Sequence, residues 1–379
     1  MADAFKHLIG ARAVAQISTH LQRAWPAFAQ SAFSDAALAG LDTLELKARV
    51  MHLAQALVAH LPADVGQAAS ILEASLGPAG VGDDLAGLKT SDAGLAGWPV
   101  WPLTEAITLL CAKHHPARGL QALHAMTQRL TAEFAIRPFL IQHPTLTLQT
   151  LARWLDDPSA HVRRLVSEGS RPRLPWGLRL QALVADPSPT LPLLLRLQDD
   201  PSAYVRRSVA NHLNDIAKDH PALLAQWLAT HLPGASDQRS TLLRHASRGL
   251  IKQGDPAVLA AWGVGTALQG SATLACQPAA LRVGETLQLS VQLHSSASSP
   301  QRLAIDYAVH HVKANGSTTP KVFKGWSITL AAGEQRTLQR AHAMKPITTR
   351  RYHPGAHRVD LRINGQVLAE LGFELALDC

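Results

Sequence analysis

Cysteine is scarce and poorly placed for chemistry. The three residues Cys111, Cys276 and Cys379 are odd in number, far apart, and never form a CxxC pair. A disulfide framework and a thiolate zinc site are therefore not expected, and a reducing cytosol fits. Long hydrophobic runs are missing too: no stretch of about 18 uninterrupted apolar residues occurs, so no membrane-spanning helix is expected. The opening MADAFKHLIGARAVAQI lacks the apolar core and cleavage signal of a secretory leader. A cytoplasmic protein is the expectation. The strings GxSxG, HExxH and GxxxxGK[ST] are absent, which argues against common hydrolase, zinc-protease and P-loop chemistry. The pairs His114–His115 and His310–His311 have no third ligand at a recognisable spacing, so neither metal nor cofactor is expected.

What is present is a chain of 379 residues, 47% apolar, long enough for two domains. Lys and Arg outnumber Asp and Glu by 36 to 28. The net charge of +8 and a pI near 9.7 point to a polyanionic partner, nucleic acid being the commonest. From about residue 11 to 265, apolar residues recur at three- and four-residue spacing, as in LELKARVMHLAQALVAHL, TEAITLLCAKHH, GLQALHAMTQRLTAEFAI and TLTLQTLARWL. These segments predict amphipathic helices. Residues 75–102 read as a long connection, with glycines that match no phosphate-binding spacing.

A repeat is explicit. DDPSAHVRRLVSEG from Asp156 and DDPSAYVRRSVANH from Asp199 are 43 residues apart, and a degenerate copy surrounds Asp255. Helix pairs recurring at roughly 40–47 residues are the mark of HEAT-type units. Asp, Pro and Ser form the turn and cap the second helix, while Val162 and Leu165 face inward. Near residue 270 the period changes to two, and Asn364-Gly365 between two such runs predicts a hairpin. About seven strands suggest an immunoglobulin-type sandwich without its Cys…Trp…Cys core. The expected architecture is thus an α-solenoid of HEAT-like repeats over residues 1–268, followed by a β-sandwich over 269–379.

Helical spacing places Arg164 and Glu168 on one face, and Arg207, Asn211 and Asp215 on the equivalent face of the next unit. Five arginines (163, 164, 171, 173, 179) surround the single acid Glu168 between His161 and Arg179, a density suited to phosphate. Trp176, between Pro175 and Gly177, is free to stack on a base or sugar, or else closes a turn as a core residue. Arg163, Arg206 and the turn aspartates equally suit an inter-repeat salt-bridge ladder. Glu133 is open to pairing with Arg137.

Four segments carry a resemblance: AEFAIRPFL (132–140), HVRRLVSEGSRPRLPW (161–176), YVRRSVANHLNDIAKDHP (204–221) and ITTRRYHPGAHRVDLRINGQ (347–366). In these the chain resembles the AlkC branch of the alkylpurine DNA glycosylases, relatives of the AlkD enzymes. The sandwich after the repeats separates AlkC from AlkD. The resemblance implies hydrolysis of the N-glycosidic bond of cationic N3-methylated purines, chiefly 3-methyladenine, in duplex DNA without base flipping. It assigns catalysis to Glu168 first, then Glu133 and Asp215. By the same resemblance Arg164 and Arg207 grip phosphates, Trp176 meets the lesion or its sugar, and Arg171 and Arg173 hold the backbone. DNA contact further extends to Phe134, Asn211, Arg350, Arg351, Tyr352 and His353, the last four on a loop that could instead be plainly solvated. Alkylated duplex DNA is the expected partner and a monomer the expected state. The competing expectation is a non-catalytic scaffold whose basic groove binds DNA or an acidic protein.

Overall fold

The computed structural model describes residues 5–83, 87–264, 267–346 and 351–377. Among them the chain forms sixteen α-helices and then eight β-strands. The first helices are α1 (Ala11–Ala24), α2 (Gln30–Leu38), α3 (Leu46–His60), α4 (Val65–Ala74), α5 (Val100–Cys111) and α6 (Pro116–Thr127). Next come α7 (Arg137–Gln142), α8 (Pro144–Arg153), α9 (Ala160–Gly169), α10 (Gln181–Ala185), α11 (Leu191–Leu197) and α12 (Ala203–Ile216). The last are α13 (Pro221–His231), α14 (Asp237–Ala246), α15 (Arg248–Gln253) and α16 (Pro256–Ala261). Among the described residues no helix is long and apolar enough to cross a membrane. Pro116, Pro144, Pro221 and Pro256 open their helices, where a missing N–H costs nothing and the fixed φ is already helical.

The repeat is a structural one. In both copies the first-position carboxylate of the turn accepts a backbone N–H two residues on: Asp157 from Ser159 and Asp200 from Ser202, each at 2.8 Å. Ser202 also caps α12 by accepting from the Val205 amide at 3.3 Å. Arg163 and Arg206, 43 residues apart, each donate to the carbonyl of their own turn, at 2.7 Å to Asp157 and 2.5 Å to Asp200. Arg163 additionally reaches the next unit, pairing with both oxygens of Asp200 at 2.7 and 3.1 Å. That is a rung of the ladder. Val162, Leu165 and Val166 of α9 and Val205, Val209 and Leu213 of α12 have no exposed surface, so these two helices stack through their apolar stripes. Burying each such side chain contributes roughly 1.5–3 kcal/mol.

One expected helix is shorter than its pattern. GLQALHAMTQRLTAEFAI was expected to be helical throughout, yet α6 ends at Thr127 and Glu133 lies on a turn before α7. Past Thr127 the backbone leaves the helix, and the Arg129 carbonyl accepts from the distant Gly97 amide at 3.1 Å. Sequence periodicity cannot see that tertiary bond. Between residue 75 and α5 the described residues form neither helix nor strand, and Asp83 among them accepts from Ser202 Oγ at 2.7 Å.

The strands form a three-stranded sheet, β1 (Gly270–Gln277), β3 (Thr286–Ser295) and β6 (Gln335–Ala343), in that order. A second sheet runs β2 (Ala280–Arg282), β8 (Gln366–Ala376), β7 (Gly355–Ile363), β4 (Gln301–Val312) and β5 (Thr318–Leu330). The strand beyond the expected seven is β2, three residues parallel to β8 and too short for alternation to reveal. Side chains of β3 alternate between buried and outward, and the inward ones join two apolar clusters around Tyr307 and Ile305. Asn364 (φ 48°) and Gly365 (φ 81°) make the expected two-residue hairpin between β7 and β8. Asn364 Oδ1 also accepts from the Ala304 amide at 2.8 Å.

The last helix ends at Ala261 and the first strand begins at Gly270. Packing divides the chain elsewhere. One compact unit comprises the chain through Asp219 together with Ser236–Ala246; the other comprises His220–Ala235 and everything from Ser247. Helices α13, α15 and α16 thus belong with the strands, where Leu259 and Val264 cluster with Ala304. The change of period and the change of packing partner fall at different places.

Candidate active site

The repeat unit through Asp219 gathers three acids that are dispersed in sequence. On α9, Arg164 and Glu168 stand one turn apart, with Nη2 3.6 Å from Oε1. The Arg164 Nη1 turns the other way and donates to Glu133 Oε2 at 2.8 Å, an oxygen that also accepts from Thr131 Oγ1 at 2.8 Å. The alternative partner for Glu133, Arg137, is engaged elsewhere. Helix α9 ends at Gly169, and the chain folds back so that Arg171 Nη1 donates to Glu168 Oε1 at 2.6 Å. The Nε of Arg171 donates to Asp215 Oδ2, on the neighbouring α12, at 2.8 Å. Lys218 closes the series by donating to Asp215 Oδ1 at 2.8 Å, and Ser208 donates to Glu168 Oε2 at 2.7 Å. Acids and bases therefore alternate along one line: Glu133, Arg164, Glu168, Arg171, Asp215, Lys218.

Burial and charge compete along it. Burial pushes the Glu168 carboxyl up, but Arg164 and Arg171, with the Ser208 hydroxyl, outweigh it and hold the group below the usual glutamate range. Burial opposes the charge on Arg164, yet Glu133 and Glu168 raise its basicity further. The guanidinium also lies 4.7 Å from the Tyr204 ring centroid, a cation–π contact. Exposure differs among the acids. The side chain of Glu133 is 13% exposed, that of Glu168 6% and that of Asp215 1%. Only for Glu133 does one oxygen, Oε1, meet no donor among the described residues. Behind the line His212 is buried and donates from Nδ1 to the Ser167 carbonyl at 2.9 Å; burial lowers its pKa to about 4.

Trp176 is not a core residue. It is 69% exposed and adopts φ +65°, the left-handed region that an aromatic side chain seldom enters. The segment carrying it is pinned by two cations. Buried Arg137 donates to the carbonyls of Leu178 at 2.5 Å and Gly169 at 2.9 Å, while burial lowers its pKa to about 10. Lys47 donates to the Trp176 carbonyl at 2.6 Å.

The remaining expected residues fall into distinct settings. Arg164 and Arg171, expected at phosphates, sit inside the carboxylate line with little exposed surface, paired with half-buried Glu133 and buried Glu168 and Asp215. Arg173 pairs bidentately with Asp219 at 2.6 Å for both contacts. Arg207 is exposed, makes no ion pair among the described residues, and lines a groove with Gln238, Thr241 and His245 between α12 and α14. Asn211 Oδ1 accepts from His245 Nε2 at 2.9 Å, so it serves the α12–α14 contact. Phe134 stacks on Trp101, centroids 5.3 Å apart at 21°.

In the sandwich unit Tyr352 lies on the irregular segment before β7, as expected, but is half-buried against the core, its ring edge-on to His311 at 5.6 Å. The His353 carbonyl accepts from His357 at 3.0 Å, and Arg351 is exposed. Arg350 lies outside the described residues. Among the described residues no group of three or more His, Cys, Asp or Glu is arranged to hold a metal. Sequence reasoning missed Thr131, Ser208, Lys218, Arg137 and Lys47. Lys218, three residues from Asp215 on a helical pattern, was findable by spacing; Lys47, 129 residues from Trp176, carried no signal.

Comparison with known proteins agrees with this arrangement of helices and strands. Residues 270–377 match the family model described as the C-terminal Ig-like domain of uncharacterised protein YhaZ. Uncharacterized protein YhaZ of Bacillus subtilis (strain 168) is 36% identical over 99% of this chain and its own full length. The Pseudomonas fluorescens alkylpurine DNA glycosylase AlkC, solved bound to DNA containing an abasic site analog, is 35% identical. It superposes with a TM-score of 0.88, covering 98% of this chain and 99% of that one. With near-complete coverage on both sides, this chain belongs to the AlkC family of alkylpurine DNA glycosylases.

Proposed function

We propose that the protein is a DNA glycosylase for alkylated bases, and that its preferred lesions are cationic N3-methylated purines, chiefly 3-methyladenine, in duplex DNA. The observation that carries this is the line of three largely buried acids joined by Arg164 and Arg171, on the same unit as an exposed, left-handed Trp176. A structural relative at near-full coverage, solved on DNA with an abasic site analog, supports the same reading.

The chemistry suits such a line. A purine methylated at N3 is already cationic and leaves without strong protonation, so no powerful general acid is needed. As the N-glycosidic bond stretches, positive charge grows on the deoxyribose, and carboxylates near C1′ stabilise it and orient the attacking water. Among the three acids, Glu133 offers an oxygen without a donor and the greatest exposure, which favours it as the one that meets sugar or water. Glu168, both of whose oxygens are occupied, orders Arg164 and Arg171; Asp215 anchors Arg171 from behind. Trp176 contacts the lesion or its sugar from the protein surface, with no need to draw the nucleotide into a cavity. Acting on chromosomal DNA, the protein works in the cytoplasm as a monomer.

Duplex DNA methylated with dimethyl sulfate provides the test, with liberated bases measured by mass spectrometry. Wild-type protein should release 3-methyladenine. Glu133→Gln and Glu168→Gln should each slow release by about 10²–10³-fold, the cost of one well-aimed charged group, while duplex binding stays close to wild type. Salt-sensitive binding without any free base would instead identify a non-catalytic DNA scaffold.

A further inference from the structure

We propose that Lys47 is a positioning residue for base release: by holding the Trp176 carbonyl beside the Glu133–Phe134 turn, it sets where the tryptophan ring meets DNA. This rests on the glycosylase function proposed above. Lys47 belongs to the first turn of α3, far from the repeats in sequence, yet its Nζ reaches two elements of the site at once. It donates to the Trp176 carbonyl at 2.6 Å and lies 5.7 Å from the centroid of the Phe134 ring. Phe134 directly follows Glu133 and is itself fixed by stacking on Trp101. Trp101 Nε1 in turn donates to Glu105 Oε1 at 3.3 Å, and the Glu105 charge interacts with Lys47.

A first-turn lysine opposes the helix macrodipole, which favours acids there, and the first turn of α3 contains none. Its cation is therefore placed against local helix preference and toward a distant carbonyl. Residue 176 needs such an anchor. A left-handed tryptophan has no side-chain oxygen with which to bond its own backbone, and that conformation persists only where its surroundings over-determine it. Arg137 clamps the carbonyl two residues on, Leu178 O, from the core, and the Gly177 amide donates to Leu174 O at 3.1 Å. Lys47 supplies the hold from outside. Without it, water replaces the amine, residue 176 relaxes, and the ring turns away from its working direction. Because Lys47 is exposed, it can be changed without opening the core.

The experiment compares wild type, Lys47→Met, Lys47→Arg, Trp176→Ala and the double variant Lys47→Met/Trp176→Ala. Base release from dimethyl-sulfate-treated duplex is followed under enzyme excess, alongside affinity for an undamaged duplex and the thermal midpoint. Lys47→Met should release base at least about tenfold more slowly, as small misplacements of reacting groups do, with duplex affinity within about twofold and an unchanged midpoint. Lys47→Arg should recover most of the rate. The double variant should match Trp176→Ala within about twofold, because residues acting through one another do not add. A Lys47→Met rate equal to an active wild type overturns the inference alone. So does a parallel fall in rate and duplex affinity with a shallower salt dependence, which would make Lys47 a phosphate contact, and so do losses that multiply in the double variant. A wild type that releases no base overturns the glycosylase reading and this inference with it. Should Lys47→Met fail to fold, Lys47→Gln carries the same comparison.

Discussion

His212 lies under the carboxylate line, and its state is set by burial. The ring is enclosed, its one hydrogen bond runs from Nδ1 to Ser167, and its pKa falls to about 4 from an ordinary 6.5. The unfolded chain therefore binds a proton at a pH where the folded protein does not. Stability should be complete above about pH 6.5 and decline as pH falls towards 4, by about 3 kcal/mol from this residue. Glu168 acts later and in the same direction: its lowered carboxyl pKa contributes stability above the ordinary 4.5, which is lost on further acidification. Urea titrations at pH 7 and pH 4.5 should show this slope for wild type and a flatter one for His212→Gln. Equal slopes would mean that His212 is not neutral in the folded state.

Between helices, the turn that precedes α9 and α12 does two jobs. Its aspartate accepts the amide of the serine that opens the helix, Ser202 alone also capping its helix, and it offers a carboxylate to the unit before it. Asp200 is buried, accepts from the Ser202 amide, and takes both nitrogens of Arg163. Arg163→Ala would leave that buried carboxylate without its cation and should cost about 3 kcal/mol in unfolding free energy. Arg196 with Asp156 forms a pair of similar length, 2.8 Å, but both side chains are largely exposed. Arg196→Ala should change stability by about 0.5 kcal/mol at most. Chemical denaturation of the two variants decides whether the Asp-Pro-Ser turn is a ladder rung or only a surface motif. In the second unit, Gly254 after α15 and Gly365 of the β7–β8 hairpin both have positive φ and pack so closely that a Cβ on either would meet the other at under 3 Å. Neither position admits another residue without backbone movement.

Over the whole chain, a net charge of +8 favours any polyanion, so binding to duplex should weaken with salt regardless of sequence. Much of the arginine in the repeat unit is neutralised internally, since Arg163, Arg164, Arg171 and Arg173 each have acidic partners. Exposed Arg207 has none among the described residues and is a better measure of phosphate contact. Arg207→Ala should lower duplex affinity uniformly across sequences and reduce the slope of log K against log salt by about one. An unchanged slope would remove Arg207 from the DNA surface.

Local chemistry was legible from the residues themselves. The 43-residue repeat, the Asp-Pro-Ser turns, the Asn364-Gly365 hairpin and the i,i+4 pairing of Arg164 with Glu168 all follow from periods and turn geometry that act over a few residues. The gathering of Glu168 and Asp215 on stacked helices followed from the repeat. What the sequence could not decide is which cation serves which acid. Arg164 and Arg171 looked like phosphate ligands because five arginines faced one glutamate in a short window, yet two further acids reach them from a turn and a helix outside it. Nor could spacing reveal that α6 ends before Glu133, that Lys47 reaches the Trp176 carbonyl, or that Tyr352 packs against its own core. Periodicity reports which side of an element is apolar, whereas these choices depend on which distant polar group must be satisfied once the elements have packed, and only the folded chain brings those groups within bonding distance.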